Sequence, residues 1–168
     1  MYQAGYAVGQ LIAFLLFLTP AVFFLLTQQN TLKAIRRENR RLRPGLVWLQ
    51  LIPIFNFCWM FVVVTRVADS LYKENASLMD DSILGVPDPD AAGSFGKRPT
   101  YRIGMAYCIQ YLLLFFALII FFNLFGRAED ARGFAIISLI LCLSVITCWI
   151  IYWVKLAGEK RKLQYLRV

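Results

Sequence analysis

The chain predicts an all-α integral membrane protein: three transmembrane helices plus a proline-broken re-entrant hairpin, with a four-helix transmembrane bundle as the alternative. Two observations predict the membrane. Apolar residues make up 60% of the 168 residues and mean hydropathy is +0.60, whereas soluble domains are about 45–50% apolar. The excess falls in uncharged blocks about 20 residues long, the length that crosses a hydrocarbon core about 30 Å thick. A third observation, where the lysines and arginines fall between blocks, decides how many times the chain crosses.

The first span covers about residues 7–27. The preceding MYQAGYAVGQ holds no Lys or Arg and so lacks the basic start of a signal peptide. Thr19-Pro20 predicts a kink, with a hydroxyl or a neighbouring helix satisfying the carbonyl that proline frees. Gln28 to Arg43 then reads as a helix with Leu32, Ile35 and Leu42 near one face and Lys33, Arg36, Arg37, Arg40 and Arg41 around the rest. It should stop at Pro44-Gly45. Such a helix either lies on anionic lipid head groups, at about 1 kcal/mol per basic residue, or is a solvated extension of the span that fixes orientation.

The second block, residues 46–65, is as long as a span but has Pro53 and Asn56 at its middle and Gln50 nearby. Three such residues near mid-depth are unusual in a straight span without partners. A hairpin bent at IPIFNF puts Pro53 and Asn56 at its tip, and the same polar residues would line a pore. Arg66 to Asn75 reads as an emerging helix with charged pairs three and four apart. Residues 76–100 are rich in Asp, Pro and Gly and read as an irregular polar loop. Spans follow at 103–123 and 134–154, joined by a turn too short for anything but an antiparallel hairpin. Trp149, Tyr152 and Trp153 mark an interfacial aromatic belt, and the tail is basic. All of this fits one membrane domain, residues 1–168.

The 18 Lys and Arg fall as six in the first connection, five between Arg66 and Arg102, two in the turn before the last span and five from Lys155 onward. Four full spans divide them nearly evenly between the two sides, contrary to the usual cytoplasmic excess. A returning second block gathers sixteen on one side and leaves two on the other. This predicts a multi-pass protein with the N-terminus outside and with the C-terminus and basic loop in the cytoplasm.

Composition also excludes chemistry. With no histidine, imidazole-ligated haem, the common zinc sites and His-based acid–base catalysis are gone. Cys58, Cys108, Cys142 and Cys148 lie in apolar blocks without C-x-x-C spacing and read as small buried hydrophobes. Gly93 to Lys97 only superficially suggests a phosphate loop, because Ala91 and Arg98 stand where Gly and Ser or Thr are required. Asp80, Asp81, Asp88 and Asp90 match no EF-hand spacing. The net charge of +8 flanks apolar blocks, so it points to lipid head groups rather than nucleic acid. Gln50, Asn56, Gln110, Ser144 and Thr147, with Asn123 at a boundary, are uncharged and suit interhelical hydrogen bonds better than an ion relay. No catalytic, metal or cofactor-binding residue is predicted, and no cofactor.

The run RPGLVWLQLIPIFNFCW followed by VADSL resembles a group of uncharacterised small bacterial membrane proteins that share a Pro-Gly-Leu-Val-Trp-Leu entry, an Ile-Pro-x-Phe-Asn centre and an Ala-Asp-Ser-Leu exit. The resemblance covers roughly Asn30 to Glu74. It implies a bacterial, integral membrane protein and brings no activity or site residues. The expected role is a non-enzymatic accessory or scaffolding subunit of a larger inner-membrane complex, with other membrane subunits or further copies of itself as partners. A homo-oligomeric pore or channel and a lipid-binding membrane protein are the alternatives.

Overall fold

The computed structural model describes residues 2–80, 98–124 and 131–165. The expected loop over 81–97, with the phosphate-loop lookalike and most of the Asp cluster, and the turn at 125–130 lie outside them. The described residues form α1 (Tyr2–Ala34), a 3-10 helix (Pro44–Leu51), α2 (Pro53–Asp80), α3 (Tyr101–Leu124) and α4 (Ala131–Tyr165). Among them three helices are long and apolar enough to cross a membrane: α2 over Pro53–Leu78, α3 over Tyr101–Ile120 and α4 over Ile136–Tyr165. Over α1, the first charged residue is Lys33.

Local chemistry sets the ends of the helices. α1 runs through Pro20, with the Thr19 hydroxyl donating to the Leu15 carbonyl at 2.7 Å. It stops at Ala34, not at Arg43 as its charge pattern suggests. The guanidinium of Arg40 folds back onto its last carbonyls, donating to Ile35 O at 2.7 Å and Lys33 O at 2.8 Å. Those carbonyls have no partner within the helix, and a cation there also suits the helix dipole. The chain from Ile35 to Arg43 is therefore a turn, yet Leu32, Ile35 and Leu42 are all buried.

Arg43 and Ile52 are both extended, the conformation forced on a residue before proline. Pro44 and Pro53 accordingly open the next two helices, a position where proline's missing N–H costs nothing. α2 then continues unbroken through the segment that resembled a separate emerging helix and through Ala76–Asp80, which the sequence assigned to loop.

Side-chain contacts give the register. α2 and α3 are antiparallel: Asp69 pairs with Arg98 at 3.2 Å, Val64 faces Gly104, and the Phe57 and Phe115 rings lie 4.3 Å apart. α3 and α4 are antiparallel through Gln110 and Ser144. α1 and α4 run parallel, with Trp153 Nε1 donating to Thr27 Oγ1 at 2.9 Å. The segment from Arg36 to Leu46 runs back along α2, meeting Glu74, Ser70 and Trp59 in turn.

Two clusters form the core. Leu25, Leu32, Ile35, Val63, Val67, Leu71, Leu156 and Leu163 make one, with Leu42 and Val47 from the connection. Phe24, Met60, Val64, Cys108 and Tyr152 make the other. Gly104 lets α2, α3 and α4 close together, since a Cβ there would stand 2.5 Å from Val64 Cγ1 and 3.0 Å from Tyr152 Cε2. The register brings together the C-terminal ends of α1, α2 and α4 and the N-terminal end of α3. Every Lys and Arg whose side chain is described lies at this end.

Candidate functional site: a carboxylate clamp and a glutamine lock

Val63, Val67, Ser70, Glu74 and Ser77 are spaced by four, three, four and three residues, which puts them on one stripe of α2. The first two are core. The last three meet the basic turn. Glu74 is fully buried; one carboxylate oxygen accepts from the Arg36 amide at 3.1 Å and from Asn39 Nδ2 at 2.8 Å. The other lies 3.8 Å from Arg36 Nε, and Arg36 also donates to Ser77 Oγ at 3.2 Å. Ser70 accepts from the Arg41 amide at 2.8 Å while donating to the Arg66 carbonyl. A buried carboxylate is tolerable only when paired and hydrogen-bonded, and here the turn supplies both kinds of partner.

One step deeper lies the lock. Gln50 Nε2 donates to Gln28 Oε1 at 2.7 Å, Trp48 Nε1 to Gln29 Oε1 at 3.2 Å, and Trp59 Nε1 to the Leu46 carbonyl at 2.8 Å. The 3-10 helix is thereby pinned to α1 on one side and α2 on the other. Beside it Phe24 meets Tyr107, Trp149, Tyr152 and Trp153 edge-on at 5.6–6.3 Å, the geometry that aromatic quadrupoles favour.

The residues proposed for head-group contact separate into two kinds. Lys33, Arg37 and Arg41 are exposed. Arg36 and Arg40 are half-buried and turned inward, onto Glu74 and Ser77 and onto the end of α1. Of the residues proposed for a hairpin tip or pore lining, Gln50 is in the lock, Pro53 is exposed at the start of α2, and Asn56 is half-buried one turn in. The chain breaks at Ile52–Pro53, where Leu51, Ile52, Ile54 and Phe55 are exposed. Gln110 donates to Ser144 at 3.0 Å, as glue between α3 and α4, and Thr147 to its own helix.

Sequence reasoning missed Gln28, Ser70 and Glu74. As the first residue of the expected basic helix Gln28 should meet solvent or head groups; it is 1% exposed. The stripe on α2 is the signal that points to Ser70 and Glu74. Among the described residues no group of three His, Cys, Asp or Glu could hold a metal ion. The arrangement is chemically a fastening: its donors and acceptors face one another. Compared with protein-family models, characterised proteins and solved structures, the chain matches none.

Proposed function

We propose that this chain is a non-enzymatic accessory or scaffolding subunit of a larger bacterial inner-membrane complex. The observation that carries this reading is how little of α3 and α4 the chain covers for itself. Over their apolar windows 11% of each is buried, against 39% for α2. Helices in lipid gain nothing from apolarity alone; close packing and hydrogen bonds draw them together. Leu113, Phe116, Leu139 and Leu143 point outward, a surface that suits a partner's helices. A pore assembled from several copies would line its path with Asn56, Gln50 or Ser144, and Gln50 and Ser144 are instead bonded to Gln28 and Gln110 within one chain.

In the same reading α1, α3 and α4 cross the membrane, while the 3-10 helix and the first half of α2 dip in and return. The pairing of Arg36 and Asn39 with Glu74, and of Arg41 with Ser70, supports this by keeping both polar flanks of the block at one end. The basic end then faces the cytoplasm.

Three experiments test the reading. Gentle purification of the tagged chain from its native membrane should yield a stoichiometric membrane-protein partner; a lone monomer would overturn the subunit role. Ion flux through vesicles holding only this protein would favour the pore instead. Single cysteines at positions 43 and 73, in a Cys-free background, should react alike with an impermeant thiol label. Opposite labelling would mean that the second block crosses.

A further inference from the structure

The cations at the basic end do two different jobs. Arg36 and Arg40 are committed inward, Arg98 is paired with Asp69, and Glu74 is buried. Among the described residues, what remains on the outside is nearly all positive. Arg37, Arg41 and Arg43 from the turn, Arg66 from α2, Arg102 from α3 and Lys155 from α4 are exposed, while Glu38 is the exposed carboxylate among the described residues of this end. Position along the helices matters as much as sign. Arg102 stands one residue into α3, and the rest of that helix is uncharged; Lys155 follows the uncharged run of α4 that begins at Gly133. Both therefore sit where a bilayer's hydrocarbon gives way to head groups, and the turn carries its arginines just beyond.

We infer that these outward cations form a ring that binds anionic phospholipid in the leaflet at the basic end, drawing the ring's charge from four separate elements. An anionic head group near a membrane surface gains from each such Lys or Arg, and several acting together select it over a zwitterionic one. Their long side chains can keep their heads at the phosphate level while their stems lie along apolar surface. The inference rests on the membrane reading above but not on a partner subunit, so it is tested on the purified chain alone.

The chain's four tryptophans make the measurement intrinsic. Trp48, Trp59, Trp149 and Trp153 are all half-buried, so brominated acyl chains that reach them quench them. In vesicles of defined composition, brominated phosphatidylglycerol should associate at least about fivefold more strongly than brominated phosphatidylcholine at low salt, the factor that one favourable contact is worth. The preference should shrink in molar salt, where screening shortens to about 3 Å. The triple variant R37Q/R41Q/R43Q should lose much of it without unfolding, because Ser70 holds the backbone of Arg41 and not its side chain. R40Q should do the reverse, loosening the end of α1 and keeping the lipid preference.

Equal quenching by the two lipids in the unaltered protein would overturn the inference and leave the cations to an acidic protein. So would a preference abolished by excess inorganic phosphate at constant ionic strength, which would mark a site for the free anion. A preference that survives R37Q/R41Q/R43Q combined with R66Q, R102Q and K155Q would overturn it as well.

Discussion

Over its apolar window α2 is 39% buried; the windows of α3 and α4, longer-lived as uncharged runs, are 11% buried. The less apolar helix is the better packed. α2 has Arg66, Asp69, Lys73 and Glu74 in its second half, and that half is where the turn, α3 and α4 converge on it. In water the ordering would be reversed, because burial follows apolarity. In lipid it follows whatever makes close contact: Glu74 against the basic turn, Gln50 against Gln28, Val64 against the missing side chain of Gly104. The charged end is thus the most firmly fastened end, while further along the greasier helices are held to each other by contacts such as Gln110 with Ser144.

The comparison breaks most readily at Glu74. Glu74→Ala leaves Arg36 half-buried without its carboxylate and the Arg36 amide and Asn39 without an acceptor. Taking the acceptor from these partly buried donors costs about 1–3 kcal/mol each, while the ion pair itself, with Arg36 a third exposed, adds little. Unfolding in detergent should shift accordingly, and Glu74→Gln, which keeps an acceptor oxygen, should lose less. An unchanged transition for Glu74→Ala would show that apolar packing alone fastens the basic end.

Gly104→Val comes next. Its Cβ would stand 2.5 Å from Val64 Cγ1, and overpacking costs about 1–3 kcal/mol. Pairing it with Val64→Ala should restore part of the loss, since the second change removes the colliding atom. Restoration by a distant substitution instead would deny that this contact sets the spacing of α2 and α3. Smaller again is the Gln28–Gln50 bond. A double-mutant cycle with leucine at both positions should give a coupling of about 0.6 kcal/mol and no more than about 1.7, the range for hydrogen bonds between membrane helices. No measurable coupling would reduce the lock to a contact without energetic weight.

What could be read beforehand follows the same division. The two apolar helices α3 and α4 announce themselves by length and hydropathy: α3 matches its expected limits within two residues and α4 its expected start within three, but α4 runs on to Tyr165, well past the expected end at 154, because the basic tail continues the helix. The gathering of Lys and Arg at one end was legible because charges cluster in sequence before they cluster in space. The turn after Ala34 was not. Its residues have helical spacing, and what ends the helix is the guanidinium of Arg40 returning to carbonyls five and seven residues earlier. Glu74 was hidden for a related reason. A carboxylate in a polar stretch reads as solvated until its partners are known, and Arg36 and Asn39 stand 38 and 35 residues away.

The faintest effect belongs to the far side. Leu139 and Leu143 of α4 are 61% and 57% exposed. Truncating either to alanine removes atoms that touch little within the chain, so the isolated protein should change by no more than about 0.5 kcal/mol. In a complex the outcome differs. If a partner's helix lies against this face, Leu139→Ala and Leu143→Ala cut into its packing, and the partner should be recovered in lower yield while the chain itself unfolds as before. The pairing of readouts separates the two kinds of surface that a membrane helix can have. A face that meets only lipid is indifferent to losing a leucine on both counts, because lipid refills the gap. A face that meets protein is indifferent on the first count alone, because a partner's packed side chains do not.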